Sequence, residues 1–260
     1  MLKITKQQLF LLGLFLAILP YCYLCAFANP SADDFVFAYH FQTREYFSIL
    51  KETFLRWNGR YASNIFSYLN PIGFNSFLGY KITPLLIIFL FYISSFWVVR
   101  QTLFRQNLQI QAIISLVLSL LFFHNMPIIS EGVYWYTGAV IYFLGIIMFQ
   151  FYIGLLIKST RSKQKGIIIG LLTCILFFTC GFNEVLTLLV MAVLSVIAGV
   201  FYKNRLENKR IIMLQFLFSI FFGSLLIFAP GNDFRGEVYL EAHNFASSFT
   251  SSILQVVRFL

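Results

Sequence analysis

Residues 9–28 read LFLLGLFLAILPYCYLCAFA, and Asn29-Pro30-Ser31-Ala32-Asp33-Asp34-Phe35 follows this apolar run at once. A membrane-spanning helix needs about 20 mostly apolar residues, which is the length of the run. The second stretch therefore places two adjacent carboxylates where the first membrane helix reaches water. The pair is either simple loop solvation or one part of a site, and the distribution of the other acidic residues distinguishes the two interpretations.

The composition of the whole chain is that of a membrane protein. Of its 260 residues, 59% are hydrophobic and only 11% are charged, whereas soluble domains carry about 25% charged residues. The net charge is +9, but the basic residues fall in short clusters between apolar runs rather than on a soluble basic face. We therefore expect no nucleic-acid partner.

Seven apolar segments have spanning length, and they predict an all-α membrane bundle of about seven or eight transmembrane helices within one domain, 1–260. The predicted spans lie near 9–28, 82–99, 110–129, 136–157, 166–182, 184–202 and 211–229. An eighth begins near 245 and is still running at Leu260, which is typical of a truncated chain. The first span also resembles a secretory signal ending in Ala26-Phe27-Ala28, but a retained helix is favoured because the apolar run is long and further spans follow it.

Basic residues set the expected orientation. They follow the even-numbered predicted spans and precede the first span, as at Lys3, Lys6, Arg100 and Arg105. The positive-inside rule then places the N-terminus in the cytoplasm and the long loop 29–81 outside. Within that loop, apolar side chains recur at helical spacing over residues 44–58, which predicts a short amphipathic helix lying in the membrane interface.

The acidic residues fall on the side that this topology places outside. Only Glu207 lies in a cytoplasmic connection. Acidic residues contribute little to insertion orientation, so their distribution is not a by-product of the rule that assigned the topology. The outer acids are Asp33, Asp34, Glu45, Glu52, Glu131, Glu184, Asp233, Glu237 and Glu241.

Five short strings on this face combine charged, amide and aromatic side chains: 29–34, 57–61, 131–138, 181–184 and 230–235. Asp33 and Asp34 are the candidate catalytic carboxylates. The candidate substrate-binding residues are Trp57, Arg60, Tyr61, Glu131, Tyr134, Trp135, Asn183, Glu184, Asn232 and Arg235. Glu184 interrupts an apolar stretch, where a charge is costly, and so indicates a polar cavity; a turn that reaches headgroup water is the alternative. The aromatic residues fit equally an interfacial aromatic belt.

Taken together, the strings D-D-F, W-N-G-R-Y, E-x-x-Y-W-x-T-G, G-F-N-E and P-G-N-x-x-R resemble a group of bacterial membrane proteins related to the GT-C superfamily of polytopic glycosyltransferases. The resemblance covers about 29–236. It implies transfer of a sugar from a polyprenyl-phosphate donor to a glycan or lipid acceptor of the cell envelope, at the outer face of the bacterial cytoplasmic membrane. It also implies that an acid of the first outer loop acts as base or metal ligand, a role that carries over by position to Asp33 or Asp34. Because adjacent residues point in different directions, the two cannot serve identically, and we expect Asp34 to face the reaction with Asp33 in support. Mg²⁺ or Mn²⁺ would suit these oxygen ligands, although the sequence requires neither.

The residue types fit this chemistry. A carboxylate can take the proton of an acceptor hydroxyl as the anomeric carbon becomes cation-like. Arg60 and Arg235 can bind the leaving lipid phosphate as planar forks. Two other classes stay open: a transporter or flippase of an anionic or lipid-linked substrate, and a membrane protein without catalysis. A transporter would carry charged residues midway along its helices or broken helices in matching halves.

Overall fold

The computed structural model of the protein describes residues 5–162, 165–238 and Thr250. Within these residues the chain is helical and contains no strand. The helices are α1 Lys6–Leu24, α2 Asp33–Thr43, α3 Tyr46–Arg56, α4 Tyr61–Tyr68, α5 Phe77–Thr102, α6 Leu108–His124, α7 Tyr136–Ser159, α8 Lys165–Cys180, α9 Glu184–Lys203, α10 Lys209–Ile227 and α11 Pro230–Val238. The predicted class, a helical membrane bundle, agrees with this architecture.

Five helices are long and apolar enough to cross a membrane: α1, which continues through a 3₁₀ turn to Phe27, and α5, α7, α9 and α10. The predicted spans 110–129 and 166–182 correspond to the shorter apolar helices α6 and α8, and their crossing of a membrane stays a prediction. The eighth predicted span, 245–260, lies outside the described residues apart from Thr250.

Local capping sets several helix ends where hydropathy alone did not. α1 begins at Lys6 because Thr5 and Gln8 form a capping box. α6 ends at His124, five residues before the predicted limit, because Asn125 takes the C-cap position and Pro127 follows. A proline disfavours helical backbone in the residue before it, so the apolar residues after 125 do not extend the helix.

Over the described residues, the buried apolar side chains form three clusters, and α7 contributes to each of them. The N-terminal half of α7 packs with α1, α5 and α6 around Phe91, Phe123 and Phe143. Its C-terminal half packs with α8, α9 and α10 around Leu172, Leu194 and other side chains. α1 lies at the edge of the bundle, in contact with α6.

The acidic residues are unequally distributed between the two ends of the bundle, since all the described ones except Glu207 lie toward one end. At one end, the Arg161 side chain donates to the carbonyl oxygen of Gln101 at 2.7 Å, and Asn208 donates to that of Thr160 at 3.2 Å. This is the basic end, where the turns after α5, α7 and α9 meet. The opposite end, here the acidic end, holds the segment 25–76 folded over the N-termini of α5, α7 and α9.

Helix α3 matches the predicted helix at 44–58, but its packing differs from the predicted apolar stripe. Ile49 and Thr53 are its buried residues. Phe47, one of the apolar residues whose spacing predicts this helix, is 74% exposed. The difference arises because α3 packs in the acidic end against α4 and α11, so the neighbouring helices, and not the helix's own periodicity, decide which face is covered.

Candidate functional site

Asp34 is the centre of a buried hydrogen-bond network. Its side chain is 0% exposed. Oδ1 accepts from the Thr137 hydroxyl at 2.7 Å, from the Thr137 backbone N–H at 3.1 Å and from the Asn70 amide at 3.2 Å. Oδ2 accepts from the Tyr80 hydroxyl at 2.6 Å and from the Ser31 N–H at 3.1 Å. A carboxylate has about four acceptor positions, so these five donors leave none of them free.

The network fastens the segment 25–76 to the bundle. Tyr80 belongs to α5 and Thr137 to α7, so one carboxylate joins α2 to two of the long apolar helices. The Tyr80 hydroxyl in turn accepts from the Tyr136 N–H at 3.1 Å, and the Tyr136 hydroxyl donates to the carbonyl oxygen of Phe66 at 2.7 Å. The network supports the fold, because loss of one of its donors would leave a buried polar oxygen without a partner.

Asp33 has the opposite environment. It is exposed and lines a cleft of about 500 Å³ between α2, α3 and α11, a volume within the range of small-molecule sites. Within the described part of the chain its side chain has no ion pair and no hydrogen bond. Of the two adjacent acids, Asp33 is therefore the one that can meet a ligand.

The rest of the cleft wall combines charged and aromatic side chains. Trp57 and Phe234 are 44% and 49% exposed. The lining residues with polar side chains, besides Asp33, are His40, Arg44, Glu52, Thr53, Arg56, Trp57 and Tyr68. Arg44 and Glu52 pair with each other, and the hydroxyls of Thr53 and Tyr68 share a hydrogen bond of 2.7 Å.

A second charged pair joins two of the predicted strings. The Arg60 guanidinium donates to Glu184 through Nε, at 3.1 Å to each carboxylate oxygen, and through a terminal nitrogen at 2.8 Å. The Arg60 side chain is 16% exposed and that of Glu184 is 35% exposed. Arg235 lies within electrostatic range of the same carboxylate. Glu184 thus faces a guanidinium rather than lipid, which accounts for a charge at the end of an apolar helix.

The pKa of Arg60 reflects both the burial and the pairing. Burial of the guanidinium lowers its pKa, but the hydrogen bonds and charge of Glu184, with Tyr142 beside the pair, outweigh burial, and the net pKa is raised. Arg60 therefore stays protonated, as an arginine requires for a structural ion pair.

Glycine at position 59 allows the long loop to lie directly on α10. The Gly59 N–H donates to the Asn232 side chain at 3.1 Å, and Asn232 donates to the carbonyl oxygen of Leu226 at 2.7 Å. A Cβ atom at position 59 would overlap that carbonyl group and lie 2.6 Å from the Cβ of Ala229. No side chain fits between these backbones.

Gly59→Ala is therefore expected to lower the free energy of unfolding by about 1–3 kcal/mol, the usual cost of overpacking. Gly199→Ala is the matched control, because a Cβ there meets nothing within 4 Å, and alanine is the better helix former by about 1 kcal/mol. Unfolding of both variants in mixed detergent micelles measures the difference. Equal stability of the two would show that the close contact at Gly59 is relaxed at little cost.

Three of the predicted substrate-binding residues are committed to internal contacts. Tyr61 stacks on Phe177 and donates to its carbonyl oxygen at 2.8 Å. Asn183 caps α9 by accepting from the Leu186 N–H at 2.9 Å and is 3% exposed. Asn232 bonds backbone groups as described above. These side chains hold the loops that carry the charged residues.

Residues of the string 131–138 line two cavities that are distinct from the Asp33 cleft. Glu131, Tyr134 and Trp135 border a cavity of about 550 Å³ beside Asn29 and Ser31. Glu131 and Trp135 also border an apolar cavity of about 330 Å³. The structure thus brings all five strings to the acidic end, but the cavities that Glu131 lines share no residue with the Asp33 cleft.

A metal ion held jointly by Asp33 and Asp34 does not fit the geometry. The oxygens of Asp34 are already occupied by five donors. Elsewhere in the described ranges, no three His, Cys, Asp or Glu side chains are placed to share a cation.

Sequence reasoning missed His40 and Arg56 of the cleft and the partners of Asp34. His40 is seven residues after Asp33, two helical turns along one face, so helical periodicity on α2 carries that signal. Tyr80 and Asn70 stand outside the five strings, and no local pattern marks them.

No protein-family model, no curated protein and no solved structure matches this chain.

Proposed function

We propose that the protein is a membrane glycosyltransferase of the GT-C kind, which transfers a sugar from a polyprenyl-phosphate donor to a cell-envelope acceptor at its acidic end. The positive-inside rule assigns that end to the outside of a bacterial cytoplasmic membrane and the N-terminus to the cytoplasm. The observation that carries the proposal is the contrast between two neighbouring acids. Asp34 is buried and structural, while Asp33 is exposed in a cleft of about 500 Å³.

In this mechanism the expected roles of the two acids are exchanged: Asp33 is the general base, and the buried Asp34 positions it. The Asp33 carboxylate takes the proton of the acceptor hydroxyl while the hydroxyl oxygen bonds the anomeric carbon. The bond from that carbon to the donor phosphate oxygen breaks, and the lipid phosphate leaves with the bonding electrons. Asp34 holds the first turn of α2 through Ser31, Tyr80 and Thr137, so Asp33 keeps one place in the cleft.

The contacts of Arg60 and Arg235 favour different roles for the two residues, although both were expected to bind the leaving phosphate. The Arg60 guanidinium already donates to Glu184, and this pairing favours a positioning role for Arg60. Arg235, whose side chain forms no hydrogen bond among the described residues but lies near Glu184, is the better candidate for the departing phosphate. Trp57 and Phe234, on the same cleft wall as Asp33, offer apolar faces to a sugar ring.

The distribution of charge favours a transferase over a transporter. The charged residues of the long helices, such as Lys6, Arg100, Lys158, Glu184 and Lys203, lie near the helix ends. Midway along the described parts of these helices the polar groups are amides and hydroxyls, as where Gln215 donates to Thr173 at 3.1 Å. Transporters place ionisable groups along the translocation path.

Asp33→Asn tests the proposal. Loss of a general base lowers rates by about 10²- to 10⁴-fold, so we expect the glycan product in the envelope of the host cell to fall at least about 100-fold, with the protein level in the membrane unchanged. Asp233→Asn is the matched control, since Asp233 is an exposed acid of α11 that does not line the cleft. Normal glycan in cells that carry Asp33→Asn would contradict the transferase assignment.

A further inference from the structure

Among the residues that the structure describes, the Asp33 cleft has one cation without a partner. Arg44 and Glu52 neutralise each other on the cleft wall. Arg56, the last residue of α3, lines the same cleft. Over the described ranges its side chain has neither an ion pair nor a hydrogen bond. Arg56 is therefore available to a ligand.

Asp33 and Arg56 stand at the two sequence ends of the helix pair that lines the cleft. α2 and α3 meet at the corner around 44–45. Asp33, the first residue of α2, and Arg56, the last of α3, are thus the residues of this helix pair most distant from the corner in sequence. Among the described residues they form no ion pair with each other. A ligand in the cleft would therefore meet both a carboxylate and a guanidinium.

The remaining wall suits a sugar ring. Trp57 and Phe234 present exposed aromatic faces, and such faces pack against the apolar face of a ring. His40 adds a polar side chain to the cleft wall.

We infer that the acceptor bound in this cleft is an acidic saccharide, one whose carboxylate or phosphate group pairs with Arg56 while a hydroxyl faces Asp33. The inference rests on the proposed function and adds the chemical class of the acceptor. A guanidinium binds an oxyanion through two parallel N–H···O bonds, which fixes both the position and the rotation of the sugar. A neutral sugar would leave Arg56 with water alone and would gain no such orientation.

Binding measurements on the full chain in nanodiscs of uncharged lipid test this inference. Glucuronate supplies the carboxylate arm, glucose 6-phosphate the phosphate arm, and glucose the neutral comparison; calorimetry or saturation-transfer NMR gives the affinities. We expect at least one of the acids to bind about tenfold or more tightly than glucose, the factor expected of a charge-assisted contact. The acid that binds more tightly identifies the anionic group.

Two variants of α3 show whether Arg56 is responsible. Arg56→Gln is expected to remove the preference for the acid and to leave glucose binding unchanged, and Arg56→Lys to keep part of the preference. Lys51→Gln removes an exposed cation of the same helix that does not line the cleft, so it should change neither affinity. Equal binding of glucose and both acids, or an equal loss in Lys51→Gln, would overturn the inference.

The outcome is separable from the test of transfer. Binding of these acids requires no lipid donor, so failure to discriminate charge would remove the acidic acceptor while leaving the loss of glycan in Asp33→Asn as evidence for a transferase. Selective binding of an acid together with normal glycan in Asp33→Asn would support an acidic-saccharide site but contradict the transferase assignment.

Discussion

Asp34→Ala is expected to lower the free energy of unfolding by at least about 3 kcal/mol. The substitution removes a fully buried carboxylate and leaves the donors of Ser31, Asn70, Tyr80 and Thr137 without their acceptor. Each buried donor left unsatisfied costs about 1–3 kcal/mol, less where the site relaxes or admits water. The stability of Asp34→Asn is expected to lie between those of the unmodified protein and Asp34→Ala. The amide keeps the shape of the carboxylate, but its N–H group faces donors instead of accepting from them.

Unfolding in mixed micelles and limited trypsin digestion measure this effect. Because Asp34 joins the segment 25–76 to α5 and α7, its loss should also expose Lys51 and Arg56 in that segment to faster cleavage. Asp33→Ala is the matched control, since it removes a neighbouring carboxylate that has no partner among the described residues. Similar stability of the Asp33 and Asp34 variants would show that the hydrogen-bond network contributes little.

Breaking the Arg60–Glu184 pair is the second large effect that we expect. Either Arg60→Gln or Glu184→Gln should lower the free energy of unfolding by about 2 kcal/mol, since hydrogen bonds to charged groups contribute about 1.5–3 kcal/mol. We place the value toward the lower part of that range because Glu184 is 35% exposed, which allows solvent to screen the interaction. The double variant should recover part of the loss, because it leaves neither charge unpaired.

A double-mutant cycle measures this coupling directly. The pair Arg44–Glu52 supplies the control cycle, because both of its side chains are about 40% exposed (41% and 39%). Exposed pairs contribute about 0.2–1 kcal/mol, so its coupling energy should be clearly smaller. A coupling at Arg60–Glu184 no larger than that of the control would mean that the pair does not hold the loop on α9.

Much of the architecture could be predicted from the sequence because hydropathy is a local property. Each predicted span within the described residues overlaps an apolar helix, and the helix at 44–58 was anticipated from its spacing. Boundaries were less accurate, as at His124, since they depend on single capping residues and prolines. The covered face of α3 was not predictable, because it depends on which helices pack against it.

For the candidate site too, some features follow from the sequence and others depend on the packing of the helices. The sequence by itself determined that the charged and aromatic strings lie at one end of an apolar bundle, since span order alternates the connections between two sides. Only the tertiary structure decided which acid is available. Adjacent residues on a helix point about 100° apart, so Asp33 and Asp34 had to differ, but the choice depends on Tyr80 and Thr137, which are 46 and 103 residues from Asp34. Such distant donors meet a carboxylate only through the rotation and packing of whole helices, and no local pattern encodes those.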